Sequence, residues 1–257
     1  MKRPLPLILS IPHGGTKVPP SLKDNFLLTE EDVLDDGDLW TGYLFDFTDD
    51  VLHASRMPLS RAVLDLNRAP SDYPPGNPDG VVKSHSLRMA PVWRRPLEHH
   101  EVEWLLRTYY HPYYATLIEA SALPGARLGI DCHSMLPRDP FDKEGRPRPL
   151  FCLSNRGDAD GEASNGPTSA PAHILLQFKT ILESVFGQGA VSINAPFQGG
   201  ELIRRLGRES RIPWFQFEIN RKLYAPFGVE GPDDRAIFLH GFKTRLSECL
   251  RRLARVL

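Results

Sequence analysis

Hydrophobic and polar positions along the chain switch between two periods. Leu7-Ile8-Leu9-Ser10-Ile11 is a short apolar run that stops at Pro12-His13-Gly14-Gly15, the pattern of a buried strand running into a loop. From Asp38 to Leu52, apolar residues recur every four positions (Leu39, Tyr43, Phe47, Val51), which predicts a helix. Met57–Leu59 and Val63–Leu66 are shorter apolar runs, the second read as a strand that ends at Asn67-Arg68, and residues 70–80 are loop by composition. Residues 97–120 place Leu97, Val102, Leu105, Leu106, Tyr109, Leu117 and Ile118 on one face, a long helix with Pro112 as its kink point. Leu128-Gly129-Ile130 leads a strand into Asp131-Cys132-His133-Ser134, and segments 136–149 and 156–171 read as surface loops. A helix is expected from about Pro171 to Phe186, closed by Gly187, with strands at Val191–Ile193 and Trp214–Ile219. A final helix from about Asp234 should bury Phe238, Phe242, Leu246, Leu250 and Leu253. Strands separated by helices, without repeats or a break in composition, predict one domain over residues 1–257 on a largely parallel α/β sheet.

Composition narrows the function classes. The 257 residues carry 31 Lys+Arg against 32 Asp+Glu, so the net charge of -1 lacks the basic footprint of a nucleic-acid binder. No stretch approaches the ~20 apolar residues that span a bilayer, and three apolar residues before Ser10 are too few for a signal-peptide core. Three cysteines without a C-x-x-C pattern argue against a disulfide framework, so a cytoplasmic protein without a membrane partner is expected. Proline is in excess, 24 of 257 residues against a usual share of ~5%, which predicts many stiff, non-helical connections.

Open α/β sheets gather their ligands at the carboxyl ends of the strands. Five polar clusters fall at such ends here: His13, Asn67-Arg68, Asp131 with His133, Asn194, and Glu218. Asp131 and His133 are two apart, so both side chains point to one face of their strand, with the carboxylate as metal ligand or as the partner that fixes the imidazole. Two imidazoles plus a carboxylate, with one position left open for water, form a hydrolytic zinc site. The carboxylate should come from the acidic run 30–38, with Asp38 first and Asp36 next; the same run also reads as a solvated helix cap. Glu218 lies on the polar edge of an apolar strand. It is either a general base raised by burial or one half of a salt bridge to Arg221 or another arginine. Arg61, Asn67 and Arg68 suggest recognition of a substrate carboxylate, with a structural pair to Asp65 as the competing reading.

At these residues the chain resembles the N-formylglutamate amidohydrolase family. The resemblance runs in order through Ser10–Gly15, Asp38 with Leu44-Phe45-Asp46, Asp65–Arg68, Tyr109-Tyr110 with Pro112-Tyr113, Asp131–Met135, Asn194–Gly200 and Phe217–Arg221 with Leu223-Tyr224. It implies a three-layer α/β/α fold with a mixed, largely parallel central sheet, similar to zinc-dependent carboxypeptidases. It also implies one Zn²⁺ on His13, Asp38 and His133, with Glu218 as general base and Arg61 at the developing oxyanion. Thr16 stands where the wider group has a glutamate ligand, which moves the third position onto Asp38. Asn67, Arg68 and Asn194 then fall to the substrate, with Arg204 or Arg221 for a side-chain carboxylate. The implied activity is removal of an acyl group, formyl above all, from a small acidic amino acid such as N-formyl-L-glutamate. Two alternatives stand beside it: a peptidase or cell-wall amidase with a longer groove, and a non-catalytic binding protein on the same fold.

Overall fold

The computed structural model describes residues 3–225 and 232–257, the last stretch with side chains from residue 236. Six strands form its centre: β1 (Leu5–Ile11), β2 (Val51–Arg56), β3 (Leu128–Met135), β4 (Phe151–Ser154), β5 (Val191–Ile193) and β6 (Trp214–Asn220). They lie in the order β2-β1-β3-β6-β4-β5. All neighbours pair in parallel except β4 and β6, which run antiparallel, so the sheet is mixed and largely parallel.

Strand alternation divides the core into two layers. Leu7, Leu9 and Ile11, with Ile130, Cys132, Phe215 and Phe217, face one way and pack against α5 (Ala172–Phe186) and α7 (Pro232–Val256). Ile8 and Trp214 face the other way and pack with α3 (His99–Leu105), α4 (His111–Ser121) and α6 (Glu201–Glu209). Helices therefore cover both faces of the sheet, the three-layer arrangement expected for strands buried on both sides. Toward the carboxyl ends of the central strands the second face turns polar. Ser10, Asp131, His133, Gln216 and Glu218 are buried there in adjacent register, with Ser10 opposite Asp131, Asp131 opposite Gln216 and His133 opposite Glu218.

Three departures from the sequence patterns have physical causes. Helix 38–52 does not form: α1 (Glu30–Asp36) is followed only by the short α2 (Thr41–Leu44), and Val51 opens β2. Tyr43 of the expected stripe is 41% exposed, and Asp46, Thr48, Asp49 and Asp50 around buried Phe47 prefer local turns, with Thr48 Oγ1 donating to Asp46 Oδ1 at 3.2 Å. Val63–Leu66 is not a strand. It is a buried turn, with Val63 and Leu64 N–H donating to Ser60 O, and it is apolar because helices cover it. The expected helix 97–120 forms as α3, a π-helical turn over Leu106–Tyr110, and α4. His111 N–H reaches back five residues to Leu106 O just before Pro112, whose missing N–H breaks the α-helical ladder. α7 begins at Pro232, close to the expected start near Asp234, and Phe242, Leu246, Leu250 and Leu253 are buried on it, but Phe238 is 42% exposed. Strands β2 and β4 and helix α6 were too short or too polar for their periods to stand out.

Candidate metal centre and active site

The exit of β1 carries His13 into a tight loop. An added Cβ on Gly14 would stand 2.9 Å from Gly42 N, and one on Gly15 would stand 2.3 Å from Met57 O. The two glycines therefore let this loop lie against the chain's own backbone. Asp38 joins it through backbone contacts: its N–H donates to His13 O at 3.0 Å, and Thr41 Oγ1 donates to Asp38 O at 2.7 Å. His133 projects from β3. Its Nδ1 is 2.9 Å from Asp38 Oδ2, and His13 Nδ1 is 3.5 Å from the same oxygen. One donor atom from each of His13, Asp38 and His133 lies within 4.8 Å of the others, and all three residues are buried.

Each imidazole is held from its far side by a second carboxylate. His13 Nε2 is 2.8 Å from Asp65 Oδ1, and His133 Nε2 is 2.8 Å from Asp131 Oδ2. This arrangement leaves both Nδ1 atoms facing Asp38, and it is the outer support that metal-binding histidines need to fix their ring orientation. Burial opposes ionisation of Asp38, yet hydrogen bonds from His13 and His133 hold its carboxyl well below the usual range. Asp65 is held low in the same way by His13 and Arg61, against the cost of burial. For His133, burial favours the neutral ring but Asp131 and Asp38 win, and its pKa is raised. Two imidazoles and an ionised carboxylate, with two outer carboxylates, fit the donor chemistry of zinc.

Glu218 sits beside His133 across the β3–β6 ladder, 6% exposed, and burial pushes its carboxyl up to about 7. No salt bridge to Arg221 forms. Instead Gln216 Nε2 donates to Glu218 Oε1 at 2.8 Å. Asn67 Nδ2 in turn donates to Gln216 Oε1 at 3.2 Å, while Asn67 Oδ1 accepts from Leu202 N–H at the start of α6. Arg221 donates to Ser134 Oγ and Gly37 O, with Nη2 3.9 Å from Asp38 Oδ1. Asp36, the other acidic candidate, is engaged elsewhere: it pairs with buried Lys83 at 3.1 Å and accepts from Leu87 N–H at 2.7 Å.

A cavity of about 610 Å³ opens over this cluster and is lined by His13, Asp38, His133 and Glu218 together with Arg61, Asn67, Arg68 and Arg221. Arg61 forms the pair with Asp65 (Nε to Oδ2, 2.9 Å), and Arg68 holds Asp79 (Nη2 to Oδ2, 2.6 Å). Two expected residues do not line it. Asn194, at φ 52°, bridges the exits of β4 and β5 by exchanging hydrogen bonds with Asn155. Arg204 pairs with Glu201 on α6 and borders a separate hollow with Arg156 and Arg208. The Arg61–Asp65 pair is the competing reading that the sequence offered, but the hold of Asp65 on His13 and the roles of Gln216, Lys83 and Arg148 were not legible there. Of these, Gln216 left a signal, its two-residue spacing from Glu218 on one strand face.

The profile of a family described as N-formylglutamate amidohydrolase matches residues 5–225. An N-formylglutamate deformylase of Pseudomonas aeruginosa is 27% identical, over 98% of this chain and 91% of its own length. One of Pseudomonas putida is 30% identical, over 86% of this chain and 82% of its own. Among solved structures, an N-formylglutamate amidohydrolase from Ralstonia eutropha has the same fold, with a TM-score of 0.75 at 24% identity over 100% of this chain and 96% of that one. The polar row at the strand ends thus sits in a chain whose sequence, nearly end to end, belongs to the N-formylglutamate amidohydrolase family, a family of amidohydrolases.

Proposed function

We propose that this chain, acting as one catalytic unit in the cytoplasm, is a zinc-dependent amidohydrolase. It removes the formyl group from a small acidic N-formyl amino acid such as N-formyl-L-glutamate, releasing formate and the amino acid. The observation that carries the reading is the convergence of His13, Asp38 and His133 within 4.8 Å, each imidazole backed by its own carboxylate, beside buried Glu218. His13, Asp38 and His133 would hold the ion, and bound zinc supplies a Lewis acid that polarises the amide and brings the pKa of water from ~15.7 toward ~7.

The chain's own groups supply the remainder. Glu218, with a pKa near that of neutral solution, accepts the proton of the attacking water and returns it to the leaving nitrogen. Gln216 holds one carboxylate oxygen, and Asn67 holds Gln216, so the base is oriented from behind. Arg61, anchored through Nε by Asp65, keeps donors at the cavity wall for the oxygen that gains charge. Arg68, anchored by Asp79, is the group for the substrate α-carboxylate. Arg221 steadies Asp38 from below. A cavity of about 610 Å³ suits a small molecule better than a polymer, which favours deformylation over a peptidase or cell-wall amidase.

Two measurements test this. Purified protein should contain about one zinc per chain, lost in His13→Ala and His133→Ala; wild type without bound metal overturns the reading. Glu218→Gln should keep the metal yet lose formate release from N-formyl-L-glutamate by ~10²–10⁴-fold, the usual contribution of a general base. A fully active Glu218→Gln would make this residue structural.

A further inference from the structure

Four guanidinium groups line the cavity, and they differ in how many of their donors are already spent. Arg68 gives Nε and Nη2 to Asp79 O and Oδ2, and Arg221 gives Nε and Nη2 to Ser134 and Gly37 O. Arg61 gives Nε to Asp65 and Nη1 to Asp36 O. Arg148 differs from all three. Its Nη2 donates to Asp139 Oδ2 at 2.9 Å, but its buried Nε has no partner among the described residues, and Nη1 makes no hydrogen bond there. A buried charged donor without an acceptor is costly, and in the wall of a binding cavity it calls for an acceptor supplied from outside.

Topology puts this group at the reacting end of the sheet. Because β4 runs antiparallel to β6, the entry to β4 lies at the rim where β1, β3 and β6 exit. Asn220, two residues beyond Glu218, donates through Nδ2 to Pro149 O at 2.9 Å and Arg148 O at 3.3 Å, and Arg148 N–H donates to Pro137 O at 2.9 Å. The guanidinium lies over the Phe197 ring at 5.1 Å, which fixes its plane. Its side chain is only 13% exposed. Arg61 and Arg68 belong instead to the segment tied through Asp65 to His13, on the β1 side. Positive charge therefore flanks the histidine cluster on two opposite sides, a layout suited to a substrate whose two carboxylates are separated by the length of its side chain.

We infer that Arg148 receives the side-chain carboxylate of the substrate and sets the preference for an acidic amino acid. The inference rests on the deformylase reading above, and Asp139 and Phe197 hold the receiving group in place. The test uses the metal-loaded enzyme and two substrates of equal shape, N-formyl-L-glutamate and N-formyl-L-glutamine. Arg148→Met should raise KM for the glutamate substrate about 10- to 100-fold, the worth of a charge-assisted pair, while KM for the glutamine substrate moves less than about threefold. Arg148→Gln, which keeps a polar contact to Asp139, should give the same split where methionine disturbs the fold, and Arg148→Lys should restore part of the preference. Equal losses on both substrates overturn the inference, since a residue that only supports the wall affects both alike. A wild type that hydrolyses both substrates equally also overturns it and leaves the deformylase reading intact. A wild type that releases formate from neither overturns that reading, and this inference with it.

Discussion

Gly129 shows what one missing atom does for the site. A Cβ built there would stand 2.1 Å from the ring carbons of Trp214, which is fully buried. Without it, the indole lies across β3 and fills the face beneath Asp131 and His133, so the floor of the site is packed rather than hollow. Gly129→Ala should destabilise the protein by ~1–3 kcal/mol, the range for overpacked cores, read as a lower urea midpoint; an unchanged midpoint would show that Trp214 moves freely. At this scale some residues are legible in the sequence and others are not. Asp131 and His133, like Gln216 and Glu218, are two apart on strands, and strand geometry alone puts each pair on one face. Asp65 and His13 are 52 residues apart, and Asp36 and Lys83 are 47 apart, with nothing periodic to link them. Their pairing follows from burial: a charge taken out of water needs a partner, and the partner is whichever group the fold brings near.

Helices α3 and α4 with the π-turn between them show how an element serves a distant site. Tyr110 and Tyr114 donate to Arg68 O at 2.9 Å and Leu66 O at 2.7 Å, pinning the chain on both sides of Asn67. The start of this assembly depends on Glu101. It accepts from Arg95 at 2.7 and 2.8 Å and from Glu98 N–H at 2.8 Å, closing the amino end of α3. The Arg95 hydrogen bonds hold Glu101 down to about 2, below its ordinary 4.5. Its folded pKa is depressed, so its stabilisation is present above the ordinary value and is lost as pH falls from 4.5 toward about 2. Amide protection factors in His99–Leu105, corrected for the intrinsic exchange rate at each pH, should therefore fall across that window in wild type, and Glu101→Gln should show the lower protection already at neutral pH. Since Arg95 is half exposed, the pair is screened by solvent and the change should be small and local to α3. Protection factors in α3 that stay constant from pH 4.5 to about 2 would contradict the assignment.

On the scale of the whole molecule, the proposed metal ties together β1, β3 and the turn after α1, segments that are far apart in sequence. An ion that binds only the folded chain stabilises it by mass action, by about 2.7 kcal/mol at a hundredfold excess over Kd, or ~5–10 °C in Tm for a chain of this size. Zinc should raise the wild-type Tm by that amount and leave His13→Ala unmoved; equal shifts in both would place the ion elsewhere. No helix among the described residues is long and apolar enough to cross a membrane, and all three cysteines are buried free thiols. The proline excess also finds its place here. Pro12 precedes His13, while Pro137, Pro147 and Pro149 lie in the loop that delivers Arg148 to the rim. With a net charge of -1 the molecule has no global field to draw an anion, so recognition of the proposed acidic substrate would rest on a few local arginines. Legible in the sequence alone were β1, β3, β5 and β6, the helices α5 and α7, the histidines, Asp38 and Glu218 as candidates, and the family, because each rests on spacing or on local residue pattern. The folded chain alone shows that Asp36 serves Lys83, that Asn194 and Arg204 lie outside the cavity, and that Arg148 stands at its rim with a donor unspent among the described residues. Those outcomes depend on strand order and on one antiparallel pairing, which bring together groups that no local period relates.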